Sequence, residues 1–327
     1  MENSTNTYRK TRNCKKIDAA ASMELGYSIT EICELLGEAI NIGKKNHPTV
    51  VSLSLESFIT RLATQLDWSK ERVTQAVELL YLHPRPDFLQ PKHPFQGRDI
   101  YPWKFNRLLS YLRRPFLRRE RNSTAEVIWG IRHLYQVQRY LIQLCLTGKL
   151  KAESNEMKEV MSKIRNQDGE AFNNKITDWF EQDSILVVRR QVKKICEIKI
   201  QAEKGKLLGD IDVLVADPKN LCIKIVECKT FSMARAPYEM KNELDELFIG
   251  REKSKGKGKE KSAVEHHQER INWVNEHLQE VLIWLGLDPN LNWKVEPIIV
   301  TDEELSTPHL RSSTIPVISW VELHQTR

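Results

Sequence analysis

Apolar positions recur at helical spacing through much of the first 150 residues, and a strand rhythm enters after that point. In "SITEICELLGEAINIG", residues 28–43, Ile29, Ile32, Leu35, Leu36, Ala39 and Ile40 lie three or four apart, which predicts an amphipathic helix. "SLESFITRLATQL" and "SKERVTQAVELLYL" predict two more, separated by a short break at Asp67-Trp68. Ser69 is placed to cap the second, with Arg72 where a capping box would carry Glu. "TAEVIWGIRHLYQVQRYLIQLCLTGKL" is apolar around most of its circumference and reads as one long core helix ending near Gly148. After a polar break at 147–156, "MKEVMSKIRNQDGEAFNNKITDWFEQ" is helical, with Phe172, Ile176, Trp179 and Phe180 on one face. "SILVVRRQVKKIC", "DIDVLVADP" and "LCIKIVECKT" read as strands, the last two joined as an antiparallel hairpin by the turn Asp217–Asn220. Helices over "YEMKNELDELF" and "AVEHHQERINWVNEHLQEVLIWLG", then strands "WKVEPIIVT" and "IPVISWVEL", complete the chain.

The two tightly joined helices resemble a helix-turn-helix, and the Pro-rich segment after them, 83–103, could form a wing or an extended arm. Such pairs are also ordinary in helical domains. The expected organisation is a disordered tail at 1–15, a basic α-rich domain at 16–150 for nucleic acid or a partner, and an α/β domain at 151–327.

Composition narrows the class. With 40% apolar and 29% charged residues in 327, and no apolar run long enough to span a bilayer, the chain reads as soluble and cytoplasmic. The polar, basic start is unlike a secretory signal. Six scattered cysteines without a CxxC pair suit reduced core thiols rather than disulfides or zinc. The net charge of +6 is uneven: residues 1–150 carry 23 Lys and Arg against 14 Asp and Glu, whereas 151–327 carry 27 against 30. A basic half of this kind suits a polyanion or is simply a solvated surface. Within it Arg107, Arg113, Arg114, Arg118 and Arg119 interleave with Trp103, Phe105, Tyr111 and Phe116. Guanidinium forks fit phosphate and aromatic faces accept bases, so these arginines are candidates for nucleic-acid contact; a helix with a basic solvent face is the alternative. The lysine-glycine stretch at 250–262 has too little apolar content to pack and reads as a mobile loop.

Charges inside two apolar strands carry the chemistry. Glu227 and Lys229 share one face of their strand, and Asp210 and Asp212 share a face of theirs. Folding at 217–220 lets Asp212 and Glu227 converge with Lys229 alongside. Two carboxylates meeting in a dry site repel, which a divalent cation relieves, and oxygen-only ligation suits Mg²⁺ or Mn²⁺. Such a site can hydrolyse a phosphodiester, with the lysine orienting the attacking water, helping to deprotonate it or neutralising the growing charge. A salt-bridged hairpin is the structural alternative.

The order helix, strand, G-D-x-D strand, turn, E-x-K strand, helix resembles the core of the PD-(D/E)XK nuclease superfamily over residues 156–323, most specifically at "GDIDVLVAD…IVECKT". The resemblance implies a restriction-endonuclease-like αβββαβ core with a mixed central sheet. Asp212, Glu227 and Lys229 then fill the motif positions. The Cys228 carbonyl is an added metal ligand, and Glu170 is the acid of the first core helix, approaching the metal directly or through water. Gly209 stands in place of the motif proline. His267 and Arg270, on one helix face, are supporting residues toward the scissile phosphate, Lys241 and Tyr238 a weaker pair, and Asp210 a supporting charge. The resemblance implies Mg²⁺- or Mn²⁺-dependent cleavage of DNA in restriction, defence or repair, with a homodimer, an ATPase or another subunit as partner; the residues do not decide between DNA and RNA as the nucleic acid cut. The alternatives are a nuclease-like DNA-binding or regulatory subunit without turnover, and a transcription regulator working through the helix pair.

Overall fold

The computed structural model describes residues 13–325 except 46–48, 86, 88, 103–106, 122–123, 203–204, 232–233, 235 and 253–257. Most of the tail read at 1–15, the aromatics Trp103 and Phe105, and the middle of the lysine-glycine stretch lie outside the described residues. The chain divides into two compact units, Met1–Asn166 and Gln167–Arg327, so the division falls beyond the boundary read at 150.

In the first unit, helices α1 (Cys14–Leu25) and α2 (Ile29–Lys44) precede strand β1 (Val50–Ser54), the helix pair α3 (Leu55–Leu66) and α4 (Lys70–Leu80), and the short β2 (Tyr81–Leu82). Strands β3 (Phe116–Arg121) and β4 (Thr124–Gly130) and helix α5 (Ile131–Leu146) follow. Ser69 caps its helix through its side chain, as its position predicts, and Ser28 caps α2 in the same way. The strands form one sheet in the order β1-β4-β3-β2. The unit is α-rich, as expected, and adds this small sheet, which was not. Of the arginine-rich segment, residues 107–115 are turns leading into β3, not a helix, and the long helix read over 124–150 is β4 followed by α5. The reason lies in β4: Val127 and Trp129 are buried at a spacing of two, a strand rhythm hidden inside a nearly continuous apolar run. Trp129 packs against Phe58 and Phe116, and its indole N–H donates to the Ala39 carbonyl at 3.2 Å. Within 83–102 the described residues hold only a 3₁₀ turn, Gly97–Asp99, so that segment supplies no wing strand; the hairpin after the helix pair is β3–β4.

The long helix α6 (Asn155–Glu181) contains the division between the units. After it come β5 (Val187–Val192), the two-stranded β6 (Lys194–Ile195) and β7 (Ile198–Lys199), then β8 (Ile211–Asp217) and β9 (Cys222–Lys229). Next are α7 (Pro237–Leu244) with a π turn at Asp245–Ile249, the short β10 (Arg251–Glu252) and β11 (Lys259–Glu260), α8 (Ala263–Glu276) and α9 (Leu278–Leu285). Strands β12 (Lys294–Thr301) and β13 (Val317–Ser319) and helix α10 (Trp320–Gln325) close the unit. The helix read over 263–286 is thus two, parted at His277.

The expected mixed α/β architecture is present. A five-stranded sheet runs β13-β12-β9-β8-β5, with β8 antiparallel to both its neighbours, β5 and β9, and β9, β12 and β13 parallel. Asp217 makes the predicted hairpin turn, its carboxylate accepting from the backbone N–H groups of Lys219 and Asn220. Side-chain alternation sorts the faces. Val213, Val215 and Val226 pack against Phe172, Ile176 and Phe180 of α6, while Leu214, Ala216, Ile223 and Ile225 pack with Ile271, Val274 and Leu282 of α8 and α9. Helices on both faces make β8 and β9 buried strands, so their sequences read as nearly unbroken apolar runs.

Ile225 is fully buried two residues before Glu227. Ile225→Ala should lower the unfolding free energy by about 2–5 kcal/mol, measured by urea denaturation.

Candidate active site

Strand β8 pairs with β9 from Asp217↔Cys222 up to Val213↔Val226. Asp212 lies one residue before that last pair and Glu227 one residue after it, so the ladder sets the two carboxylates against each other at its end. Gly209, just upstream, has φ +86°. Proline cannot adopt that angle, which gives a physical reason for the departure from the motif residue. A Cβ at Gly209 would also stand 3.4 Å from Arg270 Nη1.

Asp212 is held from two sides. Its Oδ2 accepts from the Cys228 backbone N–H at 2.8 Å, and its Oδ1 accepts from Asn173 Nδ2 at 3.2 Å. Burial, with the neighbouring Glu227 charge, pushes its pKa up to about 6 despite those bonds. Glu227 is 5% exposed. Burial works against its charge, but Lys229 and Arg270 outweigh it and hold the carboxyl below its usual range. Lys229 Nζ lies 3.0 Å from Oε1, and Arg270 Nη2 donates to Oε2 while its Nη1 donates to the Leu208 carbonyl at 3.2 Å. The Lys229 ammonium is opposed by burial yet favoured more strongly by Glu227 and Asp212, so its pKa is raised and it stays protonated at neutral pH. In the metal-free site it is thus a hydrogen-bond donor and counter-charge to Glu227.

His267 is completely buried and bonds to the Ile225 carbonyl at 3.1 Å through Nε2, which makes that nitrogen the N–H donor. Its Nδ1 then carries a lone pair 4.0 Å from Glu227 Oε2, without a hydrogen-bond partner among the described residues. Burial pushes its pKa down to about 4, so it is neutral at pH 7. His267 and Arg270 do share the helix face that meets the site; Arg270 binds Glu227, and His267 lies beside it.

Other predicted residues fall elsewhere. Asp210 is exposed and 3.8 Å from Lys193, a surface pair away from the convergence. Glu170 is exposed, and the side chain of α6 that reaches Asp212 is Asn173, three residues on. Among the described residues no group of three His, Cys, Asp or Glu side chains is gathered closely enough to hold a metal ion. Asn173 was not foreseen; its position beside Phe172 on the packed face of α6 is the signal that could have found it. Its Oδ1 is buried and has no hydrogen-bond partner among the described residues. Lys241 is exposed and paired with Asp245 on its own helix.

The donor set fits a hard divalent cation in kind: the Asp212 and Glu227 carboxylates, the Cys228 carbonyl and the unpartnered Asn173 oxygen. Both Glu227 oxygens, however, are engaged by cationic side chains, so a metal at this carboxylate must displace one of them. A cavity of about 330 Å³ opens beside the site, walled by Glu227, Lys229 and Arg270 with Lys206 and His266; Asp212 is not part of its wall.

The arginine and aromatic stripe of the first unit does not form the surface expected. Arg114 Nη1 donates to the carbonyls of Glu78 and Tyr81, and the guanidinium lies over Phe95. Arg113 Nη1 is sealed from solvent. Arg118 and Arg119 pair with Glu120 and Glu126, and Arg107 donates to the Pro102 carbonyl. Arg113 and Arg114 are therefore inward residues, while Arg118 and Arg119 keep partly exposed heads.

Because the folded pKa of Asp212 lies above its unfolded value of 3.8, the stability it contributes is present below about pH 4 and lost as pH rises through about 6. A ¹³C-carboxyl NMR titration of metal-free protein should place the Asp212 midpoint near 6, and saturating Mg²⁺ should move it downward. An ordinary carboxylate midpoint would show that the two acids do not meet.

Among the described residues no helix is long and apolar enough to cross a membrane. No curated protein and no solved structure matches the chain. The family described as anti-phage protein Upx-like matches residues 2–293, most of its length. The chain therefore belongs to the Upx-like family of anti-phage proteins.

Proposed function

We propose that this protein defends against phage as a metal-dependent deoxyribonuclease of the PD-(D/E)XK type. The observation that carries the reading is the meeting of Asp212, Glu227 and Lys229 at the end of one β-hairpin, in a sheet with helices on both faces. In this reading Asp212 and Glu227 hold Mg²⁺ or Mn²⁺ with the Cys228 carbonyl, and Asn173 fixes the Asp212 carboxylate. A bound divalent ion lowers the pKa of a water and neutralises charge growing on the scissile phosphate. Lys229, cationic and beside Glu227, supports that charge and orients the water. Arg270 holds Glu227 while the metal is absent and turns to a phosphate oxygen when substrate enters the adjoining cavity. The first unit, with the basic excess of residues 1–150, recognises substrate or a partner.

A second reading has its own support. Arg270 and Lys229 already satisfy both Glu227 oxygens, as they would in a nuclease-like domain that grips nucleic acid without cutting it.

Incubation of supercoiled, linear and single-stranded DNA, and of RNA, with Mg²⁺, Mn²⁺ or EDTA separates these readings. Cleavage should require the divalent ion, and Asp212→Ala and Lys229→Ala should each slow it by about 100-fold or more while leaving binding largely intact. The same variants should lose protection against phage in a plaque assay. Equal cleavage by wild type and both variants would refute the site. Binding without cleavage, with protection retained in both variants, would favour the second reading.

A further inference from the structure

The first unit contains a cavity of about 310 Å³, within the range of small-molecule pockets, about 300–1,000 Å³. Its walls are mainly apolar: Leu36, Leu80, Phe95, Leu108, Val137 and Leu141 line it. Three cations also reach it, and two are engaged. Arg114 Nη1 is bonded to the carbonyls of Glu78 and Tyr81, and Lys151 lies 3.6 Å from Asp99. Arg113 differs. Its Nη1 is buried and has no hydrogen-bond partner among the described residues. Burial lowers its pKa, and the groups that act on its charge are Tyr140 and Cys145, not a carboxylate. Glu24, also on the cavity wall, is turned to other work: its Oε2 accepts from the Ser154 hydroxyl and from the N–H groups of Glu153 and Ser154.

A buried guanidinium N–H without an acceptor is expensive, and the apolar cavity that Arg113 lines leaves room for a group that its head could bind. An inorganic anion would satisfy Arg113 but leave the leucine walls wet. A neutral apolar molecule would fill the walls but leave Arg113 unpaired. We infer that this cavity binds an amphipathic monoanion, an apolar body carrying one anionic head, with the head on Arg113 and the body against Leu36, Leu108, Val137 and Leu141. The site is separate from the hairpin site of the second unit and independent of the nuclease reading.

Titration calorimetry on the full chain with decanoate, decanol of the same length, and acetate tests the inference. Decanoate should bind saturably, at least about tenfold more tightly than decanol, the margin of one charge-assisted hydrogen bond, and acetate should bind no better than decanol. Arg113→Met keeps the apolar stem and removes the charge. It should weaken decanoate by about tenfold or more and erase its preference over decanol, while the thermal midpoint of the free protein stays level or rises. That last result separates an unpaired ligand-binding arginine from a structural one, whose loss would lower the midpoint. No decanoate binding, equal binding of decanoate and decanol by wild type, or unchanged decanoate affinity in Arg113→Met would each overturn the proposal.

Discussion

The buried carboxylate of Glu227 is the constraint on which the second unit depends. It sits in a central strand, 5% exposed, where an ionised carboxylate left alone would cost several kcal/mol. Lys229 from the same strand and Arg270 from α8 offset that, and the Leu208 carbonyl and Glu227 together fix the Arg270 head. Glu227 thereby ties the E-x-K strand to the helix behind it. The charges near the hairpin end are nearly balanced among themselves, and the remaining imbalance appears in Asp212, whose carboxyl keeps its proton to higher pH than an ordinary aspartate. A pair with one acid held ionised and the other poised to ionise is prepared to accept a cation by releasing a proton.

Much of the second unit was legible because buried strands announce themselves. "DIDVLVADP" and "LCIKIVECKT" are too apolar and too short to be anything but strands, their turn is specified by Asp217, and strand periodicity put Glu227 and Lys229 together. What could not be read was the third dimension. Asn173, not Glu170, reaches Asp212, because the facing of a 27-residue helix depends on how Phe172 and Ile176 seat against the sheet. Asp210 had to wait for Lys193, a partner from β5's far end whose position no local spacing reveals.

The first unit was read less well for a related reason. Val127 and Trp129 alternate within a run that also suits a helix, so β4 was absorbed into α5, and with it went the hairpin that makes the end of the arginine-rich segment, β3, a strand between β4 and β2. Arginine-rich sequence was taken as surface, yet Arg113 and Arg114 point inward, one bound to backbone carbonyls and one facing an apolar cavity. Charge counts describe a domain's field; they say nothing of which guanidinium faces water.

The central claim is that Asp212 and Glu227 form one cation site. Calorimetry with Mn²⁺ at pH 6, repeated in buffers of different ionisation enthalpy, tests it most directly. The account predicts one ion bound per chain with release of a fraction of a proton, and loss of both in Asp212→Asn. Binding without proton release, or undiminished by Asp212→Asn, would contradict it.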